Sequence, residues 1–166
     1  MDFETLYNEH YAGIYRLAYR MLGEREEARD IVQEVFIKLH RQVGTNGALT
    51  YPRAWLYRVA ANACTNILRQ RRNRNETGGA ALDEIRVESG IENNLEVKQT
   101  MQMVKTAIAQ LSARDRLLVL LHLDGLSYRE MATVTGIRET SVGKLLSRAV
   151  NRLAGLVKGG KSRCDA

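Results

Sequence analysis

Arginine and asparagine recur on one side of the segment from Arg53 to Arg72. Arg58, Asn62, Asn66 and Arg69 stand at helical spacing, and the run Arg69-Gln70-Arg71-Arg72-Asn73-Arg74 closes it. Guanidinium groups meet phosphates and guanine edges, and amides pair with adenine edges, so this mixture suits contact with nucleic acid. A second basic set, Arg138, Thr140, Ser141, Lys144 and Arg148, lies opposite an apolar stripe of Val142, Leu145, Leu146, Ala149, Leu153 and Leu156. Groups that could do covalent chemistry are not brought together. His10, His40 and His122 are far apart, and Cys64 and Cys164 have no CxxC or Cys/His spacing around them. No carboxylate cluster, metal-ligand spacing or paired nucleophile and base is visible, so the chain is expected to be no enzyme and to need no metal or cofactor.

The elements that must carry these residues all read as helices. Ser127 and Glu130 stand three apart, the spacing of a reciprocal helix cap, and a short helix from Tyr128 to about Thr135 follows. Gly136 tolerates the left-handed backbone that ends it, and Thr140 or Ser141 can cap the next helix. That layout is a helix-turn-helix, whose second helix presents its first residues to base edges in the major groove.

Upstream, Phe3, Leu6, Tyr7, Tyr11, Ile14, Tyr15 and Ala18 make a helical stripe that stops at Gly23. A second helix is expected from about Glu24 to Arg41, with Ile31, Val32, Val35, Phe36 and Leu39 inward and Asp30, Gln33 and Glu34 outward. A polar loop, Val43 to Thr50, leads to Tyr51 and to Pro52, the only proline, which fits the first turn of a third long helix. Leu56, Val59, Ala60, Ala63 and Ile67 form its buried side. Beyond Asn94, Val97, Met101, Val104, Ile108 and Leu111 make another stripe, and Ser112 can cap a helix ending near Asp124-Gly125. The fold class expected is all-α, as two small helical domains, 1–74 and 95–166, joined by a flexible acidic linker at 75–94, the C-terminal one carrying the helix-turn-helix.

Charge follows this division. Residues 41–75 hold seven Arg and no acid, and residues 98–166 hold twelve Lys/Arg against five acids. Between them, residues 76–97 hold one Arg and six acids, while residues 1–40 hold five basic and eight acidic side chains. Two basic blocks separated by an acidic one fit a polyanion touched at two places. No window approaches the 18 or so apolar residues of a membrane span, and Met1-Asp2-Phe3-Glu4 lacks the layout of a signal peptide, so a cytoplasmic protein without membrane insertion is expected.

Three runs sharpen the reading: Asp30-Ile31-Val32-Gln33-Glu34-Val35-Phe36, then Pro52-Arg53-Ala54-Trp55-Leu56-Tyr57-Arg58-Val59-Ala60, then Leu126-Ser127-Tyr128-Arg129-Glu130-Met131-Ala132 with Ser147-Arg148-Ala149. In this order they resemble the extracytoplasmic-function sigma factors of the sigma-70 family, which keep only the second and fourth regions. The resemblance implies that Asp30, Gln33 and Glu34 dock on the β′ clamp helices of core RNA polymerase, with the β flap a further contact. It implies that Asn62, Asn66, Arg69, Arg71 and Arg72 bind the −10 element of promoter DNA, and that the loop with Gly44, Thr45, Asn46, Gly47 and Thr50 receives a base flipped from the duplex, beside Tyr51 and Trp55. By the same resemblance Arg138, Thr140, Ser141, Lys144 and Arg148 bind the −35 element, and an anti-sigma factor is a partner.

Gly143 and Leu145 depart from the polar or basic residues frequent there; a glycine inside a helix costs roughly 1 kcal/mol against alanine, unless it serves close approach to DNA. About 20 flexible residues span roughly 25 Å on average and at most about 65–70 Å, while promoter elements one and a half turns apart lie roughly 50 Å from each other. Two domains on such a tether reach both elements only when a larger machine holds them apart. A stand-alone DNA-binding regulator and a nucleic-acid enzyme are the competing readings, separated by co-purification with polymerase and by metal-dependent nicking of DNA.

Overall fold

The structure, a computed structural model, describes residues 2–46, 49–74 and 95–164, without the side chains of Asn46 and of residues 161–164. Among these residues every regular element is a helix: α1 (Phe3–Leu22), α2 (Arg25–Asn46), α3 (Pro52–Asn73), α4 (Leu95–Gln110), α5 (Ala113–Leu123), α6 (Tyr128–Thr135) and α7 (Glu139–Cys164). The stretch expected to be the linker and Gly47 lie outside the described residues.

Local chemistry sets most helix ends. The Asp2 carboxylate accepts the Thr5 amide at 2.8 Å and so caps α1; the Thr5 hydrogen bond holds its pKa below the usual carboxylate value. Gly23, at φ 78°, donates to the Tyr19 carbonyl and ends α1, and Pro52 opens α3. Ser112 caps α5 through the Asp115 amide, and Ser127 with Glu130 forms the reciprocal cap of α6. Gly136, at φ 73°, ends α6.

Two helices run past their expected ends. α2 continues to Asn46, so Gly44, Thr45 and Asn46 are its last turn rather than loop. Nothing approaches Gly44, and the Thr45 hydroxyl donates back to the Arg41 carbonyl at 2.7 Å, so no packing or turn chemistry stops the helix at Arg41. α7 starts at Glu139, with the Ser141 amide donating to the Arg138 carbonyl; Thr140 and Ser141 therefore lie within its first turn rather than capping it. It also runs through Cys164, eight residues past Leu156, the last residue of its apolar stripe.

α1, α2 and α3 pack on one another, while α4, α5, α6 and α7 form a second group. One buried cluster runs through both groups, joining Ile14, Leu17, Leu39, Leu56 and Ala60 to Leu117, Leu121, Met131, Val134 and Leu146. α3 lies against α6, and α1 against α5. On the outer side of α1 the expected stripe is wider than the core: Tyr7 and Tyr11 remain 38% exposed in a row of rings with Phe3 and Phe36. His10 is buried, and desolvation lowers its pKa.

The last carbonyls of α1 have no helical partners and sit where three helices converge. Arg71 of α3 donates to the Leu22 carbonyl at 3.0 Å and pairs with Glu27. Arg116 of α5 donates to the Met21 carbonyl at 2.7 Å and, on its other side, to the carbonyls of Ile108, Ala109 and Leu111 at the end of α4. Burial and then the nearby Arg71 lower the Arg116 pKa, yet four acceptors keep the guanidinium in place. Hydrogen bonds from a charged donor contribute about 1.5–3 kcal/mol each, and carbonyls stranded by its removal keep their desolvation cost. Arg116→Met is expected to lower the unfolding free energy by about 3 kcal/mol in urea titration; a change under about 1 kcal/mol means that water caps these carbonyls equally well.

Candidate nucleic-acid and polymerase interface

Three exposed faces carry the residues singled out above. On α2, Asp30, Gln33 and Glu34 are all exposed, and Lys38 pairs with Glu34 at 2.5 Å. On α3, Asn62, Asn66, Arg69 and Arg72 are exposed, with Arg69 donating to the Asn66 amide oxygen at 3.1 Å. Arg71 differs from its neighbours, since its guanidinium is turned inward to Glu27 and Leu22. On α7, Arg138, Thr140, Lys144 and Arg148 are exposed and Ser141 is half-buried, around the N-terminal turn of a helix whose opposite side buries Val142, Leu146 and Ala149.

The helix-turn-helix is held rigidly. Asp115, 3% exposed, accepts from Arg152 of α7, which ties α7 to the start of α5. Gly143 faces α6: a methyl group there would come within 3.3 Å of the Tyr128 ring. The glycine thus makes room for Tyr128 between the two helices, a packing reason for its place in α7 that the sequence did not disclose.

The expected base-receiving loop is shortened by the length of α2. Thr50 is exposed at the bend before α3, and Tyr51 beside it is 63% exposed with the Arg129 guanidinium 5.8 Å from its ring centre. Trp55 is half-buried against the core. Cys64 is fully buried, and burial pushes its thiol up to about 12, which makes it a packing residue without reactivity near neutral pH.

A constellation that sequence reasoning missed lies between the two helix groups. Asp124, at the C-terminal cap of α5, has a side chain only 5% exposed. Tyr57 of α3 donates to its carboxylate at 3.2 Å, and Arg16 and Arg20 of α1 lie 3.7 and 3.9 Å from it. Arg53 of α3 donates to the Asp124 backbone carbonyl at 2.7 Å and reaches Glu130 of α6 at 3.8 Å. The Tyr57 hydroxyl passes where Gly13 has no side chain, because a methyl group on Gly13 would sit 2.5 Å from it. Burial and the Asp124 charge push the Tyr57 pKa up to about 12, so the phenol remains a donor. Partners this far apart along the chain leave no periodic trace; only the paired arginines around Gly13 hint at an acid to be met.

The comparisons agree with the arrangement of helices. Residues 6–74 match the family described as Sigma-70 region 2, and residues 101–153 the family described as Sigma-70, region 4. The ECF RNA polymerase sigma factor SigL of Mycobacterium tuberculosis is 32% identical over 90% of this chain and 85% of its own length. The ECF RNA polymerase sigma factor BldN of Streptomyces coelicolor is 32% identical over 93% of this chain and 60% of its own. Among solved structures, the sigma factor RpoE of Bartonella quintana, in complex with the anti-sigma factor NepR, superposes with a TM-score of 0.72 at 24% identity, covering 95% of this chain and 97% of that one. That likeness establishes the fold. With both regions in order along the chain and close relatives matched over most of their length, the chain belongs to the extracytoplasmic-function group of sigma-70 family RNA polymerase sigma factors.

Proposed function

We infer that this chain binds core RNA polymerase, directs it to promoters through −35 and −10 elements, and so starts transcription as a regulator that performs no covalent chemistry. The observation that carries the reading is the pairing of an exposed, capped helix-turn-helix with a second helical region whose long basic helix α3 is also exposed. One module alone would serve a simple repressor; two separate basic faces fit two promoter elements.

In detail, we assign Asp30, Gln33 and Glu34 to the β′ clamp helices, and region 4 to the β flap. Asn62, Asn66, Arg69 and Arg72 contact the −10 element, while Arg71 stands behind them and holds α3 to the end of α1. Thr50 and its neighbours in the turn before α3 receive the flipped base as the −10 duplex melts, with Tyr51 offering an exposed ring for stacking. Arg138, Thr140, Ser141, Lys144 and Arg148 meet the −35 duplex. The structural relatives carry anti-sigma factors, and an anti-sigma partner is proposed here too. Work on core polymerase places the chain in the cytoplasm; among the described residues no helix is long and apolar enough to cross a membrane.

Charge reversal on α2, as Asp30→Arg with Glu34→Arg, is expected to abolish core binding while helical content stays unchanged, because both side chains are exposed. Retention of β′ in a pull-down by that variant rejects the docking face. On α3, Arg69→Ala with Arg72→Ala is expected to flatten the dependence of log K on log salt for promoter binding by about 1.4–1.8, the loss of two phosphate contacts. Arg71→Ala should instead lower stability and leave the slope nearly intact. If Arg71 changes the slope as much as Arg72 does, its inward pairing does not persist on DNA.

A further inference from the structure

One open groove collects cations for which the promoter assignments account only in part. It measures about 550 Å³, and Arg69 and Arg72 of α3 line it together with Arg114 of α5. No carboxylate is among the described residues of its lining. Arg114 does come within 3.9 Å of Asp115, but Arg152 already holds that carboxylate. Guanidinium groups of like charge brought to one groove by two helices repel one another, and an anion between them turns that repulsion into attraction.

The rest of the lining says which anion. Leu117 and Val134, both buried, and Leu68 and Ile137, both half-buried, belong to it as well. A sugar-phosphate backbone leaves such side chains wet, whereas the flat ring of a base covers them. The Asn62 amide offers donors and an acceptor to a base edge. The Thr65 hydroxyl, whose proton goes to the Ala61 carbonyl at 2.7 Å, keeps its lone pairs for a ribose hydroxyl. An apolar lining with a few polar groups and a volume within roughly 300–1,000 Å³ is the usual form of a small-molecule site.

We propose that the groove binds a free nucleotide, a nucleoside di- or triphosphate, with its phosphates on Arg69, Arg72 and Arg114 and its base against Leu68, Leu117, Val134 and Ile137. Guanidinium groups hold phosphate oxygens in bidentate, charge-assisted pairs, and three of them suit a short polyphosphate chain better than a single phosphate. The ligand touches α3 on one side and α5 and α6 on the other, so it bridges the two helix groups. The site stands on the groove alone. Only its consequence, that a bound nucleotide competes with DNA for Arg69 and Arg72, rests on the assignment of α3 to the −10 element.

The test is isothermal titration calorimetry of the full chain at about 0.15 M salt, which screens loose ion pairing. The probes are the ribonucleoside triphosphates, ADP, adenosine, inorganic tripolyphosphate and a short single-stranded oligonucleotide. At least one nucleotide should bind saturably in the micromolar range, and at least about tenfold more tightly than adenosine or tripolyphosphate, each of which lacks one set of contacts. Arg114→Ala should weaken that nucleotide at least about tenfold, the loss of a charge-assisted hydrogen bond. Lys158→Ala, which removes one charge outside the groove, should change it by less than about twofold. Both side chains are exposed, and circular dichroism checks that the helices persist in each variant. Tripolyphosphate that binds as tightly as every nucleotide, or a Lys158→Ala loss equal to that of Arg114→Ala, reduces the groove to a cationic patch and overturns the proposal. An Arg114→Ala loss confined to the oligonucleotide assigns the groove to a nucleic-acid strand and overturns it too, as does the lack of saturable binding by any nucleotide up to millimolar concentration. None of these arms contains polymerase or a promoter, so failure here leaves the promoter assignments standing.

Discussion

A carboxylate taken out of water costs several kcal/mol unless donors surround it, and Asp124 is almost entirely out of water. That constraint organises the molecule. The donors it finds are a phenol from α3 and two guanidinium groups from α1, so the end of α5 is drawn onto the first helix group and α6 comes to rest along α3. The same logic recurs at the end of α1, where Arg116 reaches from the second group to a carbonyl of the first. Apolar burial supplies the attraction between the groups, and these polar contacts fix the relative position at which it is realised.

The balance of that interface is narrow. Arg16 and Arg20 are about half exposed, and ion pairs of that kind contribute up to about 1 kcal/mol each. The hydrogen bond from Tyr57 to a charged acceptor adds about 1.5–3 kcal/mol in principle, less the cost of burying both partners. Against these stand three arginines gathered in the groove and the cost of keeping Asp124 out of water. Such terms sum to a few kcal/mol, so the polar contacts fix the position of the two groups more than they hold them together.

What the sequence disclosed, and what it did not, divides along the same line. Capping residues, turn glycines and apolar stripes act within a few residues of themselves; Ser127 with Glu130, Gly136, Ser112 and Pro52 each do in the structure what their local chemistry requires. Helix ends without such a signal were misjudged, as at Gly44 to Asn46, where neither packing nor a turn residue interrupts the hydrogen-bond ladder. Tyr57, Gly13 and Asp124 were invisible because their meaning arises from an encounter across 44 to 111 positions of chain. Arg71 shows the hazard in reverse: composition groups it with Arg69 and Arg72, yet one step around the helix turns it from solvent toward Glu27. Gly143 likewise looked like an opening toward DNA and proves to be a seat for Tyr128.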